Sequence, residues 1–161
     1  MVAFGRGPGS FTGGRIAAAA AQAIALASGS RIVRVSSSEA LAEKYRSMEP
    51  ASPGVVTLIR SRRDLYYLAT YRVGQQGVLS EQSDRLHDES PAASWYQSHS
   101  GWGVAGETPA WWRGQAAAEV SASAEQIADV AERMLEQGEG VDAMYGLPEY
   151  LEGDAPWKKQ R

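Results

Sequence analysis

Eight residues near the start of the chain, Gly7-Pro8-Gly9-Ser10-Phe11-Thr12-Gly13-Gly14, limit its fold more than any other stretch. They separate an apolar opening, Met1-Val-Ala-Phe4, from the alanine-rich run Arg15 to Ser28. Glycine reaches backbone angles closed to other residues and proline fixes one, so this segment reads as a tight turn. Alanine is the best helix former, so the run after the turn is a helix, and Gly29 is its stop. Thr12 is the expected cap of its first turn. Ile16, Ala20, Ile24 and Ala27 recur at steps of three and four. They make a face that is apolar but small, which lets another helix approach closely.

A glycine turn opening into a helix leaves backbone N–H groups and a positive dipole end together, a geometry that can hold an anion. Gly9, Ser10 and Gly13 are the residues that would make such a contact. Neither standard phosphate motif is complete. Gly9 to Gly14 has the spacing of a P-loop, but Arg15-Ile16 replaces the lysine and hydroxyl that hold phosphate and magnesium. The dinucleotide pattern fails too, because the third glycine position holds Ser10 or Thr12. The plainer reading is a strand-to-helix turn with a capped helix.

Downstream, Arg31 to Val35 reads as a strand, and Ser36-Ser-Ser-Glu39 as a capping box opening a helix that fades near Ser47. Strand, helix, strand, helix suggests a parallel unit. Pro50-Ala-Ser-Pro-Gly54 is the best boundary, dividing residues 1–50 from 54–161. Beyond it, Val55–Ile59 and Leu65–Tyr71 are rich in β-branched and aromatic residues and flank a basic tip, so they read as a hairpin. A third strand is expected near Val78–Gln82 and a short one at Trp102–Gly106. A short helix is expected from Thr108-Pro109 through Trp111 and Trp112. Ser123 caps a clear amphipathic helix, with Ile127, Val130, Ala131, Met134 and Leu135 on its apolar side.

Composition narrows the chemistry. The 161 residues include no cysteine, so disulfides, thiolate catalysis and cysteine-held metals are out. A net charge of -3 gives no general attraction to nucleic acid or to an anionic membrane. No apolar run approaches the length of a membrane span, and the N-terminus has no secretory pattern, so the expected compartment is the cytoplasm. Asp84, His87, Asp88 and Glu89 are the densest set of metal-ligand types, and a solvated loop is the plainer reading. Arg60, Arg62 and Arg63 with Tyr66 and Tyr67 could meet RNA, or form an exposed tip above half-buried tyrosines. Most of Trp95, Trp102, Trp111, Trp112 and Trp157 should be core or interface anchors.

The decapeptide Gly7 to Ile16 resembles the GPGSFTGLRIG signature of the TsaB (YeaZ) family. Ser36-Ser37-Ser38-Glu39-Ala40-Leu41-Ala42 is similar to that family's SSLEALA segment. Arg62-Arg63-Asp64-Leu65-Tyr66 is similar to its DARR-x-x-YYA-x-Y hairpin. Leu147-Pro148-Glu149-Tyr150-Leu151 and Trp157-Lys158-Lys159 resemble its C-terminal ending. The resemblance implies an α/β, actin-like, ribonuclease H-like (ASKHA) fold. Residues 1–50 would be the remnant of an incomplete N-terminal lobe, and 54–161 the C-terminal lobe. It implies a non-catalytic partner, in the cytoplasm, that binds and supports a TsaD-like enzyme in making threonylcarbamoyladenosine on tRNA. A TsaE-like ATPase would join, tRNA would be met only indirectly, and a homodimer is expected. No metal and no resident cofactor is implied, with ATP or ADP only at a shared interface. The family's glycine-motif helix lies in that interface, which carries over to Phe11, Thr12, Arg15, Ile16, Ala19, Ala20, Ala23, Ile24 and Ala27.

The chain also departs from the pattern. The family opens with an Asp-Thr-Ser strand before this signature, so strands 1–5 and 31–35 are expected to leave an unpaired apolar edge. Gly14 stands where the family has leucine, Arg60 where it has aspartate, and Glu152 where it has arginine. His87 and His99 are too far apart for the H-x-x-x-H pair of the catalytic relatives. The alternative reading is a diverged homo-oligomeric scaffold outside that pathway, and a weaker one a small phosphate-binding enzyme.

Overall fold

The computed structural model describes residues 1–62, 65–87, 99, 101–113 and 115–151. The sequence features placed at Arg63, Asp64, Asp88, Glu89, Trp95, Glu152 and Trp157–Lys159 lie outside them.

The first unit is strand β1 (Val2–Gly7), helix α1 (Phe11–Ser28) and strand β2 (Ile32–Ser36). β1 and β2 pair in parallel, with Val2 opposite Ile32 and Gly5 opposite Val35. Side chains alternate across a strand, and β2 shows the consequence. Ile32 turns to one face, where it packs with Phe4 and with Ala18, Ala21 and Ala25 of α1. Val33 and Val35 turn to the other, where they meet Ala40, Val130 and Ala131. The free edge of β2 is met by Val141, whose N–H and C=O both bond Ile32 at 2.8 Å. Among the described residues, β1 pairs only with β2.

The cap of α1 differs from expectation. Ser10, not Thr12, holds the extended cap conformation, and its Oγ accepts from the Gly13 N–H at 3.1 Å. Thr12 lies inside the first turn and is exposed. At the other end Gly29 takes the left-handed conformation, with φ of 64°, that closes a helix cheaply only with glycine.

Helix α2 (Ser37–Met48) is capped by Ser36, which accepts from the N–H groups of Ser38 and Glu39. It leads to a four-stranded sheet of order β5-β4-β3-β6. Strands β3 (Gly54–Arg62), β4 (Leu65–Gly74) and β5 (Gly77–His87) form an antiparallel meander, and β6 (Gly103–Gly106) lies parallel to β3. α2 covers one face through Leu41, Ala42 and Tyr45, packed on Val55, Ala69, Tyr71, Val78 and Ala105. Gly103 is required here, since a Cβ on it would lie 2.0 Å from the Tyr45 hydroxyl. The other face buries Val56, Leu58, Tyr66, Leu68, Val104 and Trp112.

Two expectations need correction. β5 runs to His87 rather than stopping near Gln82, because Tyr66–Leu68 of β4 pair with Arg85, Leu86 and His87. The segment Thr108–Trp112 is a turn rather than a helix, closed by the Trp112 N–H on the Pro109 carbonyl at 3.0 Å. Burial of the Trp112 ring against the second sheet outweighs the local helix signal.

Helix α3 (Ala124–Glu136) returns to the first sheet, its capping box on Ser123 and Gln126 complete. Val130, Ala131, Ile127 and Met134 face the core as the periodicity predicts, while Leu135 is exposed. Glu43 of α2 is buried, and it ties three elements together. It accepts from Arg133 of α3 at 3.0 Å, from the Val78 N–H of β5 at 3.2 Å, and from Arg46 at 2.6 Å. A short 3-10 turn, Ala143–Tyr145, then passes beside α1.

Candidate functional site: helix α1 and the glycine loop

α1 buries only Ala18, Ala21 and Ala25. The opposite side is solvent-facing: Thr12, Arg15, Ile16, Ala19, Ala20, Ala23, Ile24 and Ala27 are all exposed. Ile16 is 65% exposed, Ile24 57% and Leu26 79%. Exposed isoleucines and leucine on one helix are the unusual observation, because such side chains normally turn inward. Of the residues that the resemblance carried over to an interface, only Phe11 is part-covered.

Its cover is the segment 147–151. The Tyr150 ring lies 5.3 Å from that of Phe11, the Arg15 guanidinium sits 3.9 Å over the Phe11 ring, and Arg15 Nε donates to the Tyr150 hydroxyl at 2.9 Å. Next to them the Glu149 N–H donates to the Arg6 carbonyl at 2.9 Å, and its carboxylate pairs with the Arg6 guanidinium at 2.5 Å. Loop and segment enclose a small cavity of about 180 Å³, lined by Arg6, Gly9, Ser10, Gly13, Pro148 and Glu149 among others. The structure therefore brings Gly9, Ser10 and Gly13 together. It also commits the Gly13 amide to the Ser10 cap and sets a carboxylate beside the loop.

Below the loop lies a polar junction that the sequence concealed. Asp84 of β5 accepts hydrogen bonds from the hydroxyls of Ser36, at 3.2 Å, and Ser38. Burial pushes its carboxyl above the usual carboxylate range, while the two serines and Arg6 pull it back. Burial likewise raises Glu39, against the pull of Arg133 and Arg6, and raises the phenol of Tyr71, which shares Ser36. Asp84 is thus not part of a solvated loop. The ladder that extends β5 carries it under the N-terminus of α2, where a negative charge is favourable. Among the described residues no group of three or more histidines or carboxylates is placed to hold a metal.

The basic hairpin resolves differently. Tyr66 and Tyr67 are buried rather than half-buried, and Arg60 pairs with Glu107 at 3.2 Å. Sequence reasoning missed Asp84, Arg6 and Tyr150 as parts of the loop's surroundings. Only the position of Tyr150 within the Leu147–Leu151 motif gave any signal.

Comparison with known proteins bears on this geometry. The family described as TsaD, tRNA N6-adenosine threonylcarbamoyltransferase, matches residues 1–94. YeaZ from Pseudomonas aeruginosa superposes with a TM-score of 0.78 at 29% identity, covering 92% of this chain and 73% of its own. A second structure, an uncharacterized protein with similarity to peptidase YEAZ from Pseudomonas aeruginosa, gives the same TM-score at 31% identity, over 92% and 72% of the two chains. The chain belongs to the TsaB (YeaZ) family. A search of curated proteins gives no match. Membership fixes the fold as actin-like and ribonuclease H-like, and links this TsaB-type chain to a family concerned with tRNA modification. No described helix is long and apolar enough to cross a membrane.

Proposed function

We propose that this protein is a non-catalytic partner that binds and supports a TsaD-type enzyme in tRNA threonylcarbamoyladenosine modification, docking through the exposed face of α1. The observation that carries this reading is the bare face of Ile16, Ala19, Ala20, Ala23, Ile24 and Ala27. Small side chains allow a partner helix to approach to about 8–10 Å between axes, where backbones and short side chains interlock. Alanines alone bury little area, so the anchors are Ile16, Ile24 and the Phe11–Arg15–Tyr150 stack. Arg15 is the one charged side chain on the helix. A TsaE-type ATPase joins the complex, tRNA is met through the enzyme, and ATP or ADP enters only at the shared interface. The setting is the cytoplasm.

The test is co-purification of the full chain with a TsaD-type protein. A stable complex that Ala20→Arg abolishes supports the proposal. No complex between two well-folded proteins at micromolar concentration removes it.

One observation favours a second reading, a homo-oligomeric scaffold. Ile16 and Ile24 lie four residues either side of Ala20, so two copies crossing there as antiparallel helices bring Ile16 of one near Ile24 of the other. Light scattering that finds a dimer broken by Ala20→Arg, with no TsaD-type complex, selects it.

A further inference from the structure

A second cavity, of about 680 Å³, lies between the two sheets and takes no part in the docking face. Its position follows from topology. β1 and β2 run parallel to each other, as do β3 and β6. All four strands reach the cavity at or near their carboxyl ends, through Pro8, Ser37, Leu58–Arg60 and Gly106–Glu107. Crevices at the carboxyl ends of parallel strands are where α/β folds bind ligands. The volume falls within the range of about 300–1,000 Å³ typical of small-molecule sites.

The lining sets the ligand class. Leu41 is a buried side chain, and with Ile59, which packs against the same cluster, it forms an apolar floor beside Pro8 and Val120. Gly106 has φ of +112°, and a Cβ there would lie 2.1 Å from the Leu58 carbonyl, so at that point the wall is bare backbone. The rim carries three charges. Arg60 and Glu107 satisfy each other at 3.2 Å, whereas Glu119 has no hydrogen bond or ion pair among the described residues. The hydroxyls of Ser37 and Ser121 complete the rim. The mouth therefore has one surplus negative charge above an apolar floor. A triphosphate or other anion is repelled, and an apolar body bearing an ammonium group is matched.

We propose that this cleft binds a small amphipathic amine, its apolar body over Leu41 and Ile59 and its ammonium group at Glu119. The test is calorimetry of the full chain at low ionic strength with three probes: tryptamine, indole-3-acetate and ATP. The expected result is sub-millimolar binding of tryptamine, with indole-3-acetate about fivefold weaker or worse and ATP not competing. Glu119→Gln, an exposed substitution that leaves the fold intact, weakens tryptamine about threefold, the scale of one solvent-accessible ion pair. Val120→Trp fills the cavity and abolishes binding; an unchanged melting temperature certifies that variant. Equal binding of amine and acid, indifference to Glu119→Gln, competition by ATP, or no tryptamine binding at millimolar concentration overturns the proposal. None of these results depends on the docking face of α1, so the two readings fail separately.

Discussion

Helices α1 and α2 are built beside adjacent strands yet do opposite things. α1 has 18 residues and buries three, all alanine. α2 has 12 and buries six, including Leu41, Glu43 and Tyr45. α2 is a core element, pinned between two sheets and cross-linked to α3. α1 is held by a narrow alanine seam and turns its isoleucines outward. The lesson is that helix propensity and burial are separate properties. Alanine makes α1 a firm helix without obliging it to be covered by its own chain.

Substitutions can break that contrast, starting with the core. Leu68→Ala removes a fully buried side chain from the second sheet and should cost about 3 kcal/mol, read from urea unfolding. A loss under about 1 kcal/mol would mean the sheet is far looser than its packing indicates. Glu43→Ala should cost about 2 kcal/mol, because it strips the buried Val78 amide and two arginines of their acceptor. By contrast Ile16→Ala on α1 should stay within about 0.5 kcal/mol, as for an exposed surface position, while weakening association.

The polar junction gives a pH-dependent test of smaller amplitude. Burial raises the folded-state pKa of Asp84 above its ordinary value of 3.8, so the fold holds that proton more tightly than the unfolded chain does. The resulting stabilisation is complete below the unfolded pKa and is lost as pH rises through the folded one. Asp84→Asn cannot titrate. Urea midpoints of the two proteins from about pH 4 to 7 should show the parent losing ground against the variant as pH rises. A parent that gains on the variant over that range would reverse the assigned sign.

Much of this architecture was legible in the sequence because it rests on local signals. Alanine content marked α1, Ser36 and Ser123 marked the starts of α2 and α3, and runs of β-branched and aromatic residues marked β3 and β4. The decapeptide at Gly7–Ile16 and its C-terminal companion identified the family. What escaped depends on long-range pairing. Asp84 looked like part of a solvated acidic loop because nothing local says that β4 extends the ladder to His87. Thr12 was the expected cap of α1, and it is the extended backbone at Ser10, with the Gly13 N–H on its hydroxyl, that makes Ser10 the cap instead. The Pro109–Trp112 turn reflects the pull of a buried tryptophan on a weak helix signal. Tyr150 reaches Arg15 across 135 residues, a contact that no local pattern encodes.

The most direct measurement pairs Ala20→Arg with the unaltered chain in a binding titration against a TsaD-type protein, with melting temperature as the control. Arginine at the centre of the bare face has room on the free monomer and none beneath a packed helix. The account predicts an unchanged melting temperature and loss of the complex. Undiminished affinity in the variant would contradict it.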